Sequence, residues 1–405
     1  MNTDIPGSSL LDRDVIVDPY PFYRRLQIES PVWQVPTTDV FVVSTYSLVA
    51  EAAARVDDFS SHMRHLLYRN EAGIPQRLAF GDAGADALAT ADPPVHKSHR
   101  DVVFSELVSK RMDTLEPEIR EITGKCIEGI SDGSIDFMAA IGNMIPINIM
   151  TRLIGFRNGN AQELFEAAVD STSMLGATLT RVELEEHIVR TLEIEAWIGE
   201  QLESAVDDPN DEILGAVARG IASGVFTHLE GSVVLHTLLS AGGESTTSLL
   251  GNAVRILAER PELQSRLRGT PELIPAFIEE VLRLESPFRF LLRTTTHDTD
   301  LGGVAMPEDA TVLLLWAAAN RDLATFDNAD DIILDRKVPR RHVAFGRGIH
   351  HCVGAPLARL EARIVLSSFL AATEAFTLDP DDPPRWVQSL MIRRHDRLAI
   401  HVTKS

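Results

Sequence analysis

The chain has 405 residues, 44 % of them apolar, and its 59 acidic side chains outnumber 38 basic ones to give a formal net charge of −21. An apolar share of that size supports a sizeable core, while the acidic excess repels phosphate backbones and argues against nucleic acid as a partner. Two cysteines exclude a disulfide framework and fit a reducing cytoplasm, no apolar run approaches the ~20 residues that span a bilayer, and the start from Met1 to Gly7 lacks a basic-then-apolar targeting pattern.

In chain order, Asp18-Pro19-Tyr20-Pro21-Phe22 leads through a turn into a short helix. Val40 to Ser44 reads as a strand, its β-branched and aromatic residues bounded by polar ones. Residues 62 to 90, rich in glycine, alanine and aspartate, read as a long loop with a short helical piece, and long loops in compact proteins often act as lids. Helical patterns run from about 94 to 260, broken near Gly155 to Asn160 and Asp207 to Asp211. Beyond Pro287 short strands and turns take over, at Leu291 to Thr296, Val312 to Leu315, Leu390 to Ile392 and Leu398 to Val402. The expected fold class is mainly α with a minor β portion, in one domain over residues 1–405: β near 30–45 and 288–405, helical core over 94–286.

Within the helical part, Thr227-His228-Leu229-Glu230 has the form of a capping box, which predicts a helix running to Glu259 before Pro261. In its middle stands Ala241-Gly242-Gly243-Glu244-Ser245-Thr246-Thr247. Two interior glycines each cost ~1 kcal/mol relative to alanine, so they require a reason, and close approach of a ligand is one. Glu244 followed by the hydroxyls of Ser245 and Thr246 is chemistry for delivering protons. The alternative is a kinked helix in which these side chains bond back to the preceding turn.

Cys352 stands in Phe345-Gly346-Arg347-Gly348-Ile349-His350-His351-Cys352-Val353-Gly354. Gly346 and Gly348 allow sharp turns and close approach to a flat ligand. Leu357, Leu360 and Ile364 recur at helical spacing behind Pro356, so the cysteine precedes a helix. Free N–H groups and the dipole at a helix start lower a thiol's pKa and favour a metal-ligating thiolate. A buried structural cysteine is the alternative; zinc is poorer, because Cys126 is distant and no C-x-x-C pair exists.

The run Phe345, Gly346, Gly348, His350, Cys352, Gly354 resembles the haem-binding signature of the cytochromes P450. The resemblance implies haem b as cofactor, with Cys352 as axial ligand of its iron. The segment from Ala241 to Thr247 resembles the family's oxygen-activating groove, with Glu244 as the acid, Ser245 in place of the commoner threonine, and Thr246 directly after. Serine keeps the hydroxyl with more freedom at χ1. His96 and Arg100, four apart after Pro93-Pro94 and therefore on one helix face, correspond to propionate contacts; Arg293, His342 and His350 correspond to the rest, Arg293 and His342 foremost. Glu280 and Arg283, joined by Arg336, correspond to a structural ion-pair motif, and Asn320-Arg321-Asp322 with Phe326 also follows the family. The matches run from Asp18 to Gly354, which implies the family's triangular helical prism.

The implied activity is insertion of one atom of O2 into a hydrophobic small molecule, with electrons from a ferredoxin and a ferredoxin reductase. Arg336, Lys337, Arg340, Arg341, Arg347, Arg359 and Arg363 would form the donor's docking face or an ordinary solvated surface. The pocket would be lined by Val234, Leu238 and Ala241, by Phe288, Phe290, Leu291 and Leu292, and by Leu390, Met391 and Ile392, with Arg289 turned to solvent rather than to a substrate carboxylate. A cytoplasmic monomer is expected. Two other readings are a peroxygenase, against which the acid-alcohol pair argues, and a non-catalytic haem sensor, for which an output domain or histidine ligand would be expected.

Overall fold

The computed structural model describes residues 5–79, 85–104, 112–207 and 211–405. At its centre one helix, His228–Glu259, runs unbroken beneath its neighbours, and its capping box is formed as the sequence predicts: Thr227 accepts from the Glu230 N–H while Glu230 accepts from the Thr227 N–H. The double glycine does not break this helix, and both glycines face a neighbouring helix. A Cβ on Gly242 would lie 2.6 Å from the Met150 sulfur, and one on Gly243 would lie 2.9 Å from Ile147 Cδ1. Both glycines are notches that seat the neighbouring helix Met144–Ile154. Overpacking costs ~1–3 kcal/mol against a helix-propensity gain of up to ~1 kcal/mol, so Gly242→Ala is expected to destabilise. A urea midpoint equal to or above wild type would contradict the close packing.

Strands gather in two main groups. One sheet orders Val32–Gln34, Val40–Val43, Thr311–Leu314, Leu291–Thr295 and Phe59–Ser60, and pairs Leu291 with Leu314 and Arg293 with Val312. The other joins Thr373–Leu378, Ala399–Lys404 and Gly133–Asp136. Two expectations are corrected. Leu390 to Ile392 form no strand beyond one bridge from Ile392 to Phe288, because the Leu390 N–H donates to Gly176 and those of Met391 and Ile392 to Ser389 Oγ. The passage 62–90 contains an antiparallel hairpin, His65–Arg69 with Pro75–Ala79, whose turn is held by Asn70 Oδ1 accepting from Ala72 and Ile74. Residues 80–84 of that passage lie outside the described residues.

Below the sheet Glu280 and Arg283, both buried, form a bidentate pair with N···O distances of 2.9 Å. Arg336 adds two more bonds to the same carboxylate, and Arg283 donates to the carbonyls of Asn320, Ala329 and Asp331. This knot fixes the long irregular stretch that leads into the cysteine loop. Among the described residues no helix is long and apolar enough to cross a membrane.

Candidate haem-thiolate site

The loop before Cys352 closes on itself, the Cys352 N–H donating to the Phe345 carbonyl at 2.8 Å. Gly346 and Gly348 take φ of +69° and +75°, a region that disfavours side chains. A Cβ on Gly348 would sit 3.1 Å from the Ala53 carbonyl oxygen, so this glycine lets the loop lie against the helix Tyr46–Ala54. The helix Ala355–Ala372 starts just after, with Pro356 in its first turn.

The N–H groups of Gly354 and Ala355 donate to the Cys352 sulfur. One side of the residue is open, yet burial of the sulfur pushes the thiol up, and these N–H groups with the charges of Arg100 and Arg359 draw it only part of the way back. The expected net lowering of the thiol pKa is therefore corrected: desolvation outweighs the helix start in the protein alone. Two donated hydrogen bonds and two nearby cations remain the environment that an anionic sulfur requires.

Beside the sulfur lies a basic cluster. The rings of His96 and His350 are 4.2 Å apart. Burial, with Arg293, His96 and Arg100, lowers His350 to about 3, and burial lowers Arg293 to about 10. His350 Nε2 is enclosed without a hydrogen-bond partner. Asp92, the acid that acts on Arg293, is engaged by Ser60 and Ser61. Two guanidinium cations, Arg100 and Arg293, set among the imidazoles of His96 and His350 and bound to no carboxylate by an ion pair among the described residues, fit the two propionates of a haem. His342 does not belong to this cluster. Its Nε2 lies 2.9 Å from Glu279 Oε2, and Arg359 grips the same carboxylate. Burial alone would raise Glu279, but those partners lower it to about 2. The order of preference between His342 and His350 is thus reversed, for a reason invisible in spacing: an acid 63 positions away claims His342.

On the central helix Ser245 donates to the Ala241 carbonyl at 2.6 Å. Glu244, 1 % exposed, points elsewhere, accepting from Arg394 Nε at 2.8 Å and from the Thr172 hydroxyl. Burial raises its carboxyl, with Arg394 pulling the other way. Thr246 is buried. The helix is buried on most sides, but Val233, Thr237, Ala241 and Ser245 form a half-buried stripe at intervals of four. Phe288, Leu291 and Leu292 are likewise half-buried. Val234, Leu238, Phe290, Leu390, Met391 and Ile392 are instead fully buried; Val234 and Leu238 pack in the helical core, Phe290, Leu390 and Met391 against the sheet. Arg289 is not turned to solvent: it is 1 % exposed. Arg394, Thr172, Val233 and Thr237 carry no motif, and only the four-residue spacing of the last two could have signalled them.

A sequence profile described as Cytochrome P450 matches residues 272–398. The chain is 38 % identical over 399 residues to Cytochrome P450 144 of Mycobacterium tuberculosis, covering 98 % of this chain and 92 % of that one. It is 29 % identical over 398 residues to the 6-deoxyerythronolide B hydroxylase of Saccharopolyspora erythraea, covering 95 % and 96 %. Among solved structures, cytochrome P450 CREJ in complex with (4-ethylphenyl) dihydrogen phosphate superposes with a TM-score of 0.88 at 27 % identity, covering 96 % of this chain and 98 % of that one. A mutant of P450 EryK in complex with erythromycin B gives 0.86 at 27 %, covering 99 % of each.

Proposed function

Because the chain belongs to the cytochrome P450 family, whose members are haem b monooxygenases, we propose that it oxidises an apolar small molecule with electrons from a ferredoxin and its reductase. The observation that carries this is the shared setting of Cys352 and the basic cluster, since Arg100 bears on both the sulfur and His350. Cys352 would ligate the iron, while His96, Arg100, Arg293 and His350 would hold the propionates. Haem, when bound, supplies the activation of O2, and a cysteinate ligand favours O–O cleavage over reversible carriage.

The chain's own residues do the rest. The stripe Val233, Thr237, Ala241 and Ser245, with Phe288, Leu291 and Leu292, offers an apolar wall in which the Thr237 hydroxyl can orient a polar substituent. Ser245 and Glu244 hold and move protons, Glu244 from its seat on Arg394. Positioned proton transfer contributes roughly 10²–10⁴-fold. Glu244→Gln is therefore expected to slow substrate oxidation by about 10²-fold while leaving the haem spectrum unchanged, because its partners are Arg394 and Thr172 and not Cys352 or the propionate candidates. Steady-state turnover beside the carbon monoxide spectrum checks it.

Of the seven basic residues near the cysteine loop, Arg336, Arg359 and Arg363 are paired with Glu280, Glu279 and Glu116. Lys337, Arg340, Arg341 and Arg347 are exposed around the exposed side chains of Val338 and Ile349, Arg340 while reaching Glu279 at 3.7 Å. That mixture suits an acidic electron-transfer protein, which steering would bring in faster at low salt.

The absorption spectrum of the reduced, carbon monoxide-bound protein tests the haem-thiolate reading: a red-shifted Soret band supports it, and protein that takes up no haem sinks it. Turnover with hydrogen peroxide equal to that with ferredoxin and reductase would sink the reading of the electron source.

A further inference from the structure

Arg289 has no place in the site described above. Its backbone is tied on both sides, its N–H donating to the Met391 carbonyl and its carbonyl accepting from Ala317. Its side chain is 1 % exposed, and Nε, Nη1 and Nη2 all lack a hydrogen-bond partner. Beside it lies Tyr23, 2 % exposed, whose hydroxyl faces the Arg289 guanidinium and has no well-formed hydrogen bond to any other group among the described residues.

The surrounding charges do not compensate it. Glu285 is the buried carboxylate of the region, and it is already taken by Arg393 at 2.8 Å, Arg255 at 3.0 Å and Arg321 at 3.5 Å, with the Tyr20 hydroxyl at 2.7 Å. Arg255 and Arg321 reach further acids, Glu259 and Asp330, and Arg393 also donates to the Val17 carbonyl. Arg289 is the arginine left over, and Arg393 repels it. Burial and that repulsion bring Arg289 down to about 10, which still leaves it charged at neutral pH. An isolated buried charge is costly unless paired and hydrogen-bonded, and a guanidinium cannot shed its proton to escape.

We propose that Arg289 and Tyr23 form a buried binding site for a small monovalent anion of the halide class. Five guanidinium N–H donors and one phenolic O–H make an all-donor set. Its walls are apolar, since Tyr23, Phe290, Leu315 and Met391 are all buried in one cluster. Such walls favour an ion with one charge and little hydration over phosphate or sulfate, whose desolvation costs more. The site ties the helix Tyr20–Glu29 to the segment entering the strand Leu291–Thr295, so occupancy couples to the stability of the fold.

The test uses the haem-loaded protein. In crystals grown in sodium bromide, data at the bromine edge should give an anomalous peak within hydrogen-bonding reach of Arg289 and Tyr23; an ordered water there without anomalous signal overturns the proposal. In solution, thermal midpoints are compared in sodium chloride and sodium gluconate at equal ionic strength. A ligand that binds only the folded state raises the midpoint by a steady increment per tenfold rise in its concentration above Kd. Wild type should show that rise with chloride and not with gluconate. Arg289→Met should lose the difference, and Tyr23→Phe, which keeps the ring and will fold if Arg289→Met does not, should weaken it. A chloride response that survives in Tyr23→Phe at full size, or an equal response to gluconate in wild type, overturns the assignment.

Discussion

Cys352→Ala is expected to abolish the red-shifted Soret band of the reduced, carbon monoxide-bound protein and to bring substrate oxidation to background. The sulfur is the group whose electron density favours O–O cleavage, and the two N–H donors from Gly354 and Ala355 have no comparable acceptor once it is gone. The basic cluster of His96, Arg293 and His350 is untouched by the substitution, so weak haem retention is compatible with complete loss of activity. Haem content measured after denaturation separates the two effects. Cys352→His sharpens the point, because a neutral ring could still ligate iron yet should leave the band at the position typical of nitrogen ligands. A variant without the thiol that kept both the red-shifted band and turnover would dismiss Cys352 as the ligand.

Glu280→Ala is expected to be the most damaging change away from the haem. The carboxylate accepts from two arginines and from the Ile333 N–H. Removing it strands Arg283, 0 % exposed, as a buried charge without a counter-ion. Breaking a buried pair in this way costs ~3–5 kcal/mol, a large part of the ~5–15 kcal/mol by which folded proteins are stable. Little folded protein should accumulate, and any that does should bind haem poorly because the stretch through Asp331 to Arg336 leads into the cysteine loop. Glu280→Gln keeps the shape and loses the charge, and should fall between. Wild-type denaturation midpoints for Glu280→Ala would refute the knot's importance.

What could be foreseen followed from local physics. The cysteine loop, the capped central helix and most strands depend on turn residues, caps and periodicities that reach only a few positions along the chain. The glycine pair shows the limit: a notch for Met150 and a space for a ligand place the same residues at the same spacing, and only packing distinguishes them. Partners chosen across the fold were equally hidden. Arg394 reaches Glu244 over 150 positions and Glu279 takes His342 over 63; no helical or strand period connects them. Arg289 departs from its expected place in solvent because arginine is rarely buried without a partner, and no local signal marks the exception. The hairpin at His65–Arg69 is hidden by its polar turn, where the Asn70 side chain and a single glycine at positive φ, Gly73, set the geometry in place of a glycine dipeptide.

The notches in the central helix also leave no room for oxidation of the methionines that fill them. Besides Met150 at Gly242, the Met138 sulfur would lie 2.7 Å from a Cβ on Gly251, so two thioethers are pressed into the backbone of one helix. Conversion to a sulfoxide makes such a side chain polar and adds an oxygen where no space has been left. Reactive oxygen released during unproductive cycles would arise inside the same protein. Loss of activity over many turnovers should then track oxidation at Met138 and Met150, and a fit that begins as tight packing ends as a clock on the catalyst's working life.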